Sequence, residues 1–118
     1  MRNIIYIAGP ITRGIVEDNV RAACYAGDRL IHKGYSVIIP QLSAYLQSSK
    51  AEAGAGHNHQ TWMEVDLPLV AISKAVLRIP GYSRGGDDEV TFARGRGIPV
   101  FFSEEELVAA IPPFTPDE

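Results

Sequence analysis

The residues with the plainest chemical potential form the run Pro80-Gly81-Tyr82-Ser83-Arg84-Gly85-Gly86-Asp87-Asp88-Glu89, between a stretch of β-formers and a helical stretch. Small residues at such a junction let a ligand approach backbone N–H groups at a helix N-terminus, where the natural guest is an anion. A tight turn uses the same residue types. Arg13 and Arg84 offer positive charge for that guest, or are solvated surface charges; Asp87 and Asp88 would repel it, so they are expected to point outward. Two further acids need a reading. Glu89 in a first helical turn complements the helix dipole, and Asp66 can cap the segment that follows it, yet as a pair they are also suited to attack and proton donation. His57 and His59 are spaced like metal ligands, but with no fixed carboxylate or cysteine partner they are read as solvent-exposed, and no metal or other cofactor is expected.

The elements that must position these residues follow from periodicity and punctuation. Ile4 to Ala8 has the length of a buried central strand and ends at Gly9-Pro10, opening the loop Gly9-Pro10-Ile11-Thr12-Arg13-Gly14. Val16, Val20, Ala23, Cys24, Gly27, Leu30 and Ile31 recur at helical spacing up to a Lys33-Gly34 stop, which predicts a crossover helix with these residues inward. Tyr35 to Ile39 reads as a second strand closed by Pro40. Residues 41–59 are longer than an ordinary connection and are either disordered or a lid over a site; the lid is preferred. Trp62, Val65, Leu69 and Ile72 make one helical stripe, in which Trp62 is read as packing ahead of base stacking. Pro68 there either kinks the helix or marks the first turn of a shorter one starting near Asp66. Ala75 to Ile79 is a third strand, Glu89 to Arg96 a short helix, and Ile98 to Phe102 a fourth strand. Ser103 and Glu106 have capping-box spacing for a last helix reaching Ala110. Pro112, Pro113 and Pro116 then end regular structure in a tail expected to fray or reach a neighbour.

Strand-helix alternation without an internal repeat predicts an α/β fold: a doubly wound, flavodoxin- or Rossmann-like, mainly parallel sheet of four to five strands with helices on both faces. With 118 residues, residues 1–111 form a single domain and 112–118 a proline-rich tail. Ligands of such sheets bind at the carboxyl ends of strands, near the point where strand order reverses. That rule gathers residues 9–14, the stretch after the second strand, and residues 80–89. The small negative net charge of −3 gives no reason to expect duplex nucleic acid or an anionic membrane as partner. No stretch has the length of a bilayer span, the start lacks a secretory pattern, and a lone Cys24 agrees with a reducing compartment, so a cytoplasmic location is expected.

Taken in order, Tyr6-Ile7-Ala8-Gly9-Pro10-Ile11-Thr12, Trp62, Asp66-Leu67 and Pro80-Gly81-Tyr82-Ser83-Arg84-Gly85-Gly86-x-x-Glu89 resemble the nucleoside 2-deoxyribosyltransferase superfamily over nearly the whole chain. The pattern is most similar to its short, poorly characterised DUF4406-like branch, and more distantly to the 2′-deoxynucleoside 5′-monophosphate N-glycosidases. The resemblance implies that Glu89 is a nucleophile, that Asp66 helps the base leave, and that Tyr6 orients Glu89. It further implies that Gly9, Pro10, Ile11, Arg13, Ser83, Gly85 and Gly86 hold sugar and phosphate, and that copies associate into at least a dimer. Ser83 matches the phosphate-contacting serine of the nucleotide hydrolases, which tilts the expected substrate toward a 5′-monophosphate. Pro10 stands where those hydrolases have serine, and Lys74 where many relatives have aspartate.

The implied chemistry is physically coherent. Breaking an N-glycosidic bond develops positive charge at the anomeric carbon and negative charge on the departing base, so one carboxylate and one proton donor serve it, about 5 Å apart for a retaining route. A first-turn Glu89 would be held ionised by the dipole, and Asp66 would donate only if burial raised its pKa. The expected function is therefore cleavage or transfer of the N-glycosidic bond of a (deoxy)nucleoside or its 5′-monophosphate, a small-molecule partner. A non-catalytic nucleotide sensor using the same pocket, and a purely structural or host-interaction protein, are the competing readings.

Overall fold

A computed structural model describes residues 1–44 and 58–116. The chain folds as an α/β domain in which β1 (Ile4–Ala8), β2 (Ser36–Ile38), β3 (Ala75–Arg78) and β4 (Val100–Phe101) form one parallel sheet in the order β2-β1-β3-β4. Helices α1 (Val16–His32), α2 (His59–Ala71), α3 (Arg84–Gly95) and α4 (Glu104–Ala110) connect or follow the strands, and a 3-10 turn spans Pro40–Ser43. Strand order reverses between β1 and β3, so the chain winds to one side of β1 and then returns past it to the other. The predicted doubly wound architecture is the observed one, at the lower end of the expected strand number among the described residues. Within the same residues, no helix is long and apolar enough to cross a membrane.

Two cores follow from the pleat, because successive side chains of a strand point to opposite faces. Ile5 and Ile7 of β1 pack with Ala23, Ala26 and Leu30 of α1 and Leu107 of α4. Tyr6 and Ala8 pack on the other face with Val70 of α2 and Ala93 of α3. Val20, Ala23, Gly27 and Leu30 of α1 are inward as expected, whereas Cys24 is half-buried and Val16 and Ile31 are exposed.

Four expectations need correction. α2 begins at His59, capped by the Asn58 side chain accepting from Thr61 N–H at 2.9 Å, and Pro68 lies inside it, so no shorter helix starts near Asp66 and Asp66 is not a cap. The inward residues of α2 are Asp66 and Val70; Val65 and Ile72, two members of the expected stripe, are 49% and 63% exposed. α3 begins at Arg84, because Ser83 Oγ accepts from Gly86 N–H at 2.9 Å and winds both glycines into the first turn. Residues 112–114 do not fray: Asn3 donates to Pro112 O at 2.9 Å and Phe114 N–H to Gly34 O at 3.1 Å. The capping of α4 by Ser103 is as expected, with Oγ accepting from Glu106 N–H. Of the expected lid, residues 45–57 lie outside the described residues.

Candidate active site

The site is made possible by close backbone approach at the carboxyl ends of β1 and β3. Ile79 N–H donates to Ala8 O at 2.9 Å, which draws the two loops together. A side chain on Gly9 would place its Cβ 2.4 Å from Ile79 Cγ1, and one on Gly86 would place it 3.2 Å from Gly9 N. Glycine at these two positions therefore lets α3 seat its N-terminus directly against the β1 loop. The result is a cavity of about 370 Å³, within the range of small-molecule sites.

Every expected substrate-binding residue lines this cavity: Gly9, Pro10, Ile11 and Arg13 from the β1 loop, and Ser83, Gly85 and Gly86 from the start of α3. Arg84 lines it too, and Arg13 stacks on the Tyr82 ring at 4.5 Å from its centroid. Gly86 N–H is taken by Ser83 Oγ and Asp87 N–H by Ser83 O. The amides of Arg84 and Gly85, the first of the helix, have no intrahelical carbonyl to bond and remain suited to an anion. Asp87 and Asp88 do point away, Asp87 to Arg78 at 3.0 Å and Asp88 to His59 at 2.9 Å.

Glu89 and Asp66 meet at this cavity, at 4% and 6% exposure. α3 carries Glu89 inward beside Gly86, one turn earlier on the same face, and α2 brings Asp66 from across the cavity. Tyr6 Oη donates to Glu89 Oε2 at 2.6 Å, and the two carboxyl groups lie near enough to act on each other's titration. Burial raises both acids, Asp66 to about 6 and Glu89 to about 8, with Asp66's charge pushing Glu89 up further. The Tyr6 hydrogen bond and the positive charge of Arg78 act on Glu89 in the opposite direction. Burial, helped by Glu89, also pushes the Tyr6 hydroxyl far up, so it stays a donor. The expectation that the helix dipole keeps Glu89 ionised is overturned: Glu89 sits beyond the first turn, where the dipole fades, and desolvation dominates. Around neutral pH the pair holds one proton between two carboxyls.

A family model described as Domain of unknown function (DUF4406) matches residues 3–102. The chain belongs to the DUF4406 family. No curated protein matches it. The match takes in the four strands of the described residues, the cavity and the carboxyl pair of this DUF4406 member, and stops before α4.

Several residues at or near the site were not found from sequence. His59 is not a free surface histidine; it lines the cavity and bonds Asp88, whereas His57 lies outside the described residues. Met63 and Ser43 line the cavity beside Trp62. Gln41, in the Pro40–Ser43 turn, is fully buried, and its side-chain amide has no hydrogen-bond partner among the described residues. Arg78 is buried under the β3 turn. For His59 the signal was available, since Asn58 is a strong N-cap that places it in a helix rather than a loop. Lys74, the departure at the start of β3, is at the opposite edge of the sheet, its N–H donating to Ile4 O at 2.8 Å. Among the described residues no cluster of three or more His, Cys, Asp or Glu is placed to hold a metal.

Proposed function

We propose that this chain cleaves or transfers the N-glycosidic bond of a (deoxy)nucleoside or its 5′-monophosphate through a covalent glycosyl ester on Glu89. The observation that carries the reading is the buried Glu89–Asp66 pair, with Glu89 held by the Tyr6 hydroxyl, at a cavity whose rim offers helix amides and Arg13. In the reactive form the shared proton resides on Asp66 and Glu89 is ionised, steadied by the Tyr6 O–H. Glu89 attacks the anomeric carbon while the C–N bond breaks, its electron pair passing to the base nitrogen, which takes the proton from Asp66. Water, deprotonated by Asp66, then attacks the same carbon and frees the sugar and Glu89; a second base in place of water gives transfer. The 5′-phosphate is assigned to the amides of Arg84 and Gly85, the Ser83 hydroxyl and Arg13. The exposed Val65 of α2 and Ile72 just after it support a homo-oligomer, and the lone Cys24 supports a cytoplasmic setting.

Incubation with a panel of deoxynucleosides and deoxynucleotides, followed by chromatography for free base, tests the proposal. Glu89→Ala is expected to reduce release on the order of 10³-fold or more; unchanged release in that variant removes Glu89 from the chemistry. Because the pair must hold one proton, kcat/KM should be bell-shaped, falling below about pH 6 and above about pH 8. The second reading, a nucleotide sensor, holds if the shared proton stays on Glu89, whose carboxyl burial pushes up. Calorimetric binding of a nucleotide without base release over long incubation selects it.

A further inference from the structure

Arg78 ends an otherwise apolar strand and is only 8% exposed, yet no step of the proposed chemistry uses it. Its guanidinium donates to the carbonyls of Ile79 and Gly81 and to Asp87 Oδ1, the last two at 3.0 Å. One side chain thus ties together the end of β3, the turn after it and the first turns of α3. A Cβ on Gly86 would lie 3.1 Å from Arg78 Nε, so the arginine runs against the bare helix backbone there. Gly86 and Glu89 are three residues apart, both buried, on the same face of α3.

We propose that Arg78 is a positioning residue for Glu89, fixing the β3–α3 turn and stationing a permanent positive charge on the helix face that carries the carboxylate. The proposal rests on the reading of Glu89 as the group that must ionise for attack. Hydrogen-bonding alone does not account for an arginine. Neutral donors would hold two carbonyls at a smaller desolvation cost, whereas a buried cation changes the charge state of its neighbours. Asp87, its one anionic partner among the described residues, has a side chain 69% exposed, so solvent weakens that pairing and leaves the guanidinium field uncancelled on the buried side. The groups facing Glu89 come from three elements: Tyr6 of β1 and Arg78 of β3 favour its ionised form, and Asp66 of α2 opposes it. Lysine cannot replace the planar fork, because one ammonium does not span two carbonyls and a carboxylate in fixed directions.

The test is the titration of Glu89 itself, followed by NMR of protein carrying ¹³C at the glutamate side-chain carboxyls, in wild type, Arg78→Gln and Arg78→Lys. Removal of an opposite charge at close range moves a carboxyl midpoint by about one to three pH units. Arg78→Gln is therefore expected to raise the Glu89 midpoint by about one pH unit or more, and Arg78→Lys to raise it by less. A folded Arg78→Gln whose Glu89 midpoint is unmoved overturns the proposal. Should Arg78→Gln not fold, Arg78→Lys decides: its ammonium is expected to withdraw toward Asp87 and water, so an unmoved or lowered midpoint overturns it equally. The readout needs no turnover, so absence of base release would end the proposed function while leaving this measurement to stand. An active enzyme with an unmoved midpoint would end the role of Arg78 alone.

Discussion

Along β1 the side chains alternate between two interiors of opposite character. Ile5 and Ile7 enter the core under α1 and α4, where the buried contacts are apolar and the Tyr35 hydroxyl is satisfied by Ile111 O at 2.5 Å. Tyr6 and Ala8 enter the core under α2 and α3, where Val70, Val76 and Ala93 share the space with Asp66, Glu89 and Arg78. Burying apolar surface contributes about 25 cal/mol per Å², whereas each buried carboxyl costs free energy or takes up a proton. The first face therefore supplies stability, and the second holds side chains in a state that water would not allow them. Since the two share every strand, the division is made residue by residue by the pleat and not by separate domains.

The comparison breaks most visibly with one substitution on each face. Asp66→Asn keeps shape but has no proton to give, and base release is expected to fall about 10²- to 10³-fold, with the loss smallest for bases that leave without protonation. A uniform loss across bases would instead make Asp66 a packing residue. On the opposite face Leu30→Ala should cost about 3 kcal/mol of unfolding free energy in denaturant titration, the cost of deleting a buried leucine, while turnover per folded molecule stays constant. A fall in turnover per folded molecule would show that the faces are coupled.

The two faces were also unequally legible. The helix under the first face could be placed from its spacing because its inward residues Val20, Ala23 and Leu30 are apolar and its outward ones mostly polar. α2 defeated the same reasoning. Apolar residues surround it on all sides, from Trp62 and Met63 through Leu67 to Leu69, so periodicity does not choose a face, and one of its two inward residues, beside Val70, is the acid Asp66. The start of α3 was hidden because Ser83 with two glycines has the composition of a turn, and only the geometry of the Ser83 cap shows that helix has begun. Tyr6 and Glu89, 83 positions apart, were brought together by motif order and the strand-end rule; nothing local announces their contact. Arg78 left no signal at all, since an arginine closing an apolar strand reads as its solvent end.

A pH experiment sharpens the contrast. Burial raises Asp66 and Glu89 above their ordinary carboxylate values, so the folded chain binds more protons than the unfolded chain between roughly pH 4 and 8. Stability from these groups is then fully present below their unfolded pKa values and is lost as pH rises through about 6 and about 8. Glu89→Gln removes one of the two and is expected to gain on the order of 1–2 kcal/mol near pH 8, with little change near pH 4, while abolishing turnover. Thermal unfolding at the two pH values checks it; equal effects at both would mean that Glu89 is not held against its own ionisation.

Tyr6→Phe probes the seam between the two behaviours, since the ring belongs to the apolar packing and only the hydroxyl belongs to the carboxyl pair. The ring remains, so stability should fall by only about 1 kcal/mol, the net worth of one hydrogen bond. The donor to Glu89 Oε2 is gone, however, and that hydrogen bond favours the ionised form. The alkaline limb of the kcat/KM profile should therefore move to higher pH, with a turnover loss of about tenfold at neutral pH, where less Glu89 is ionised. If Tyr6→Phe lost the same stability but left the pH profile where it was, Tyr6 would be an ordinary core aromatic. The second face would then differ from the first in composition only.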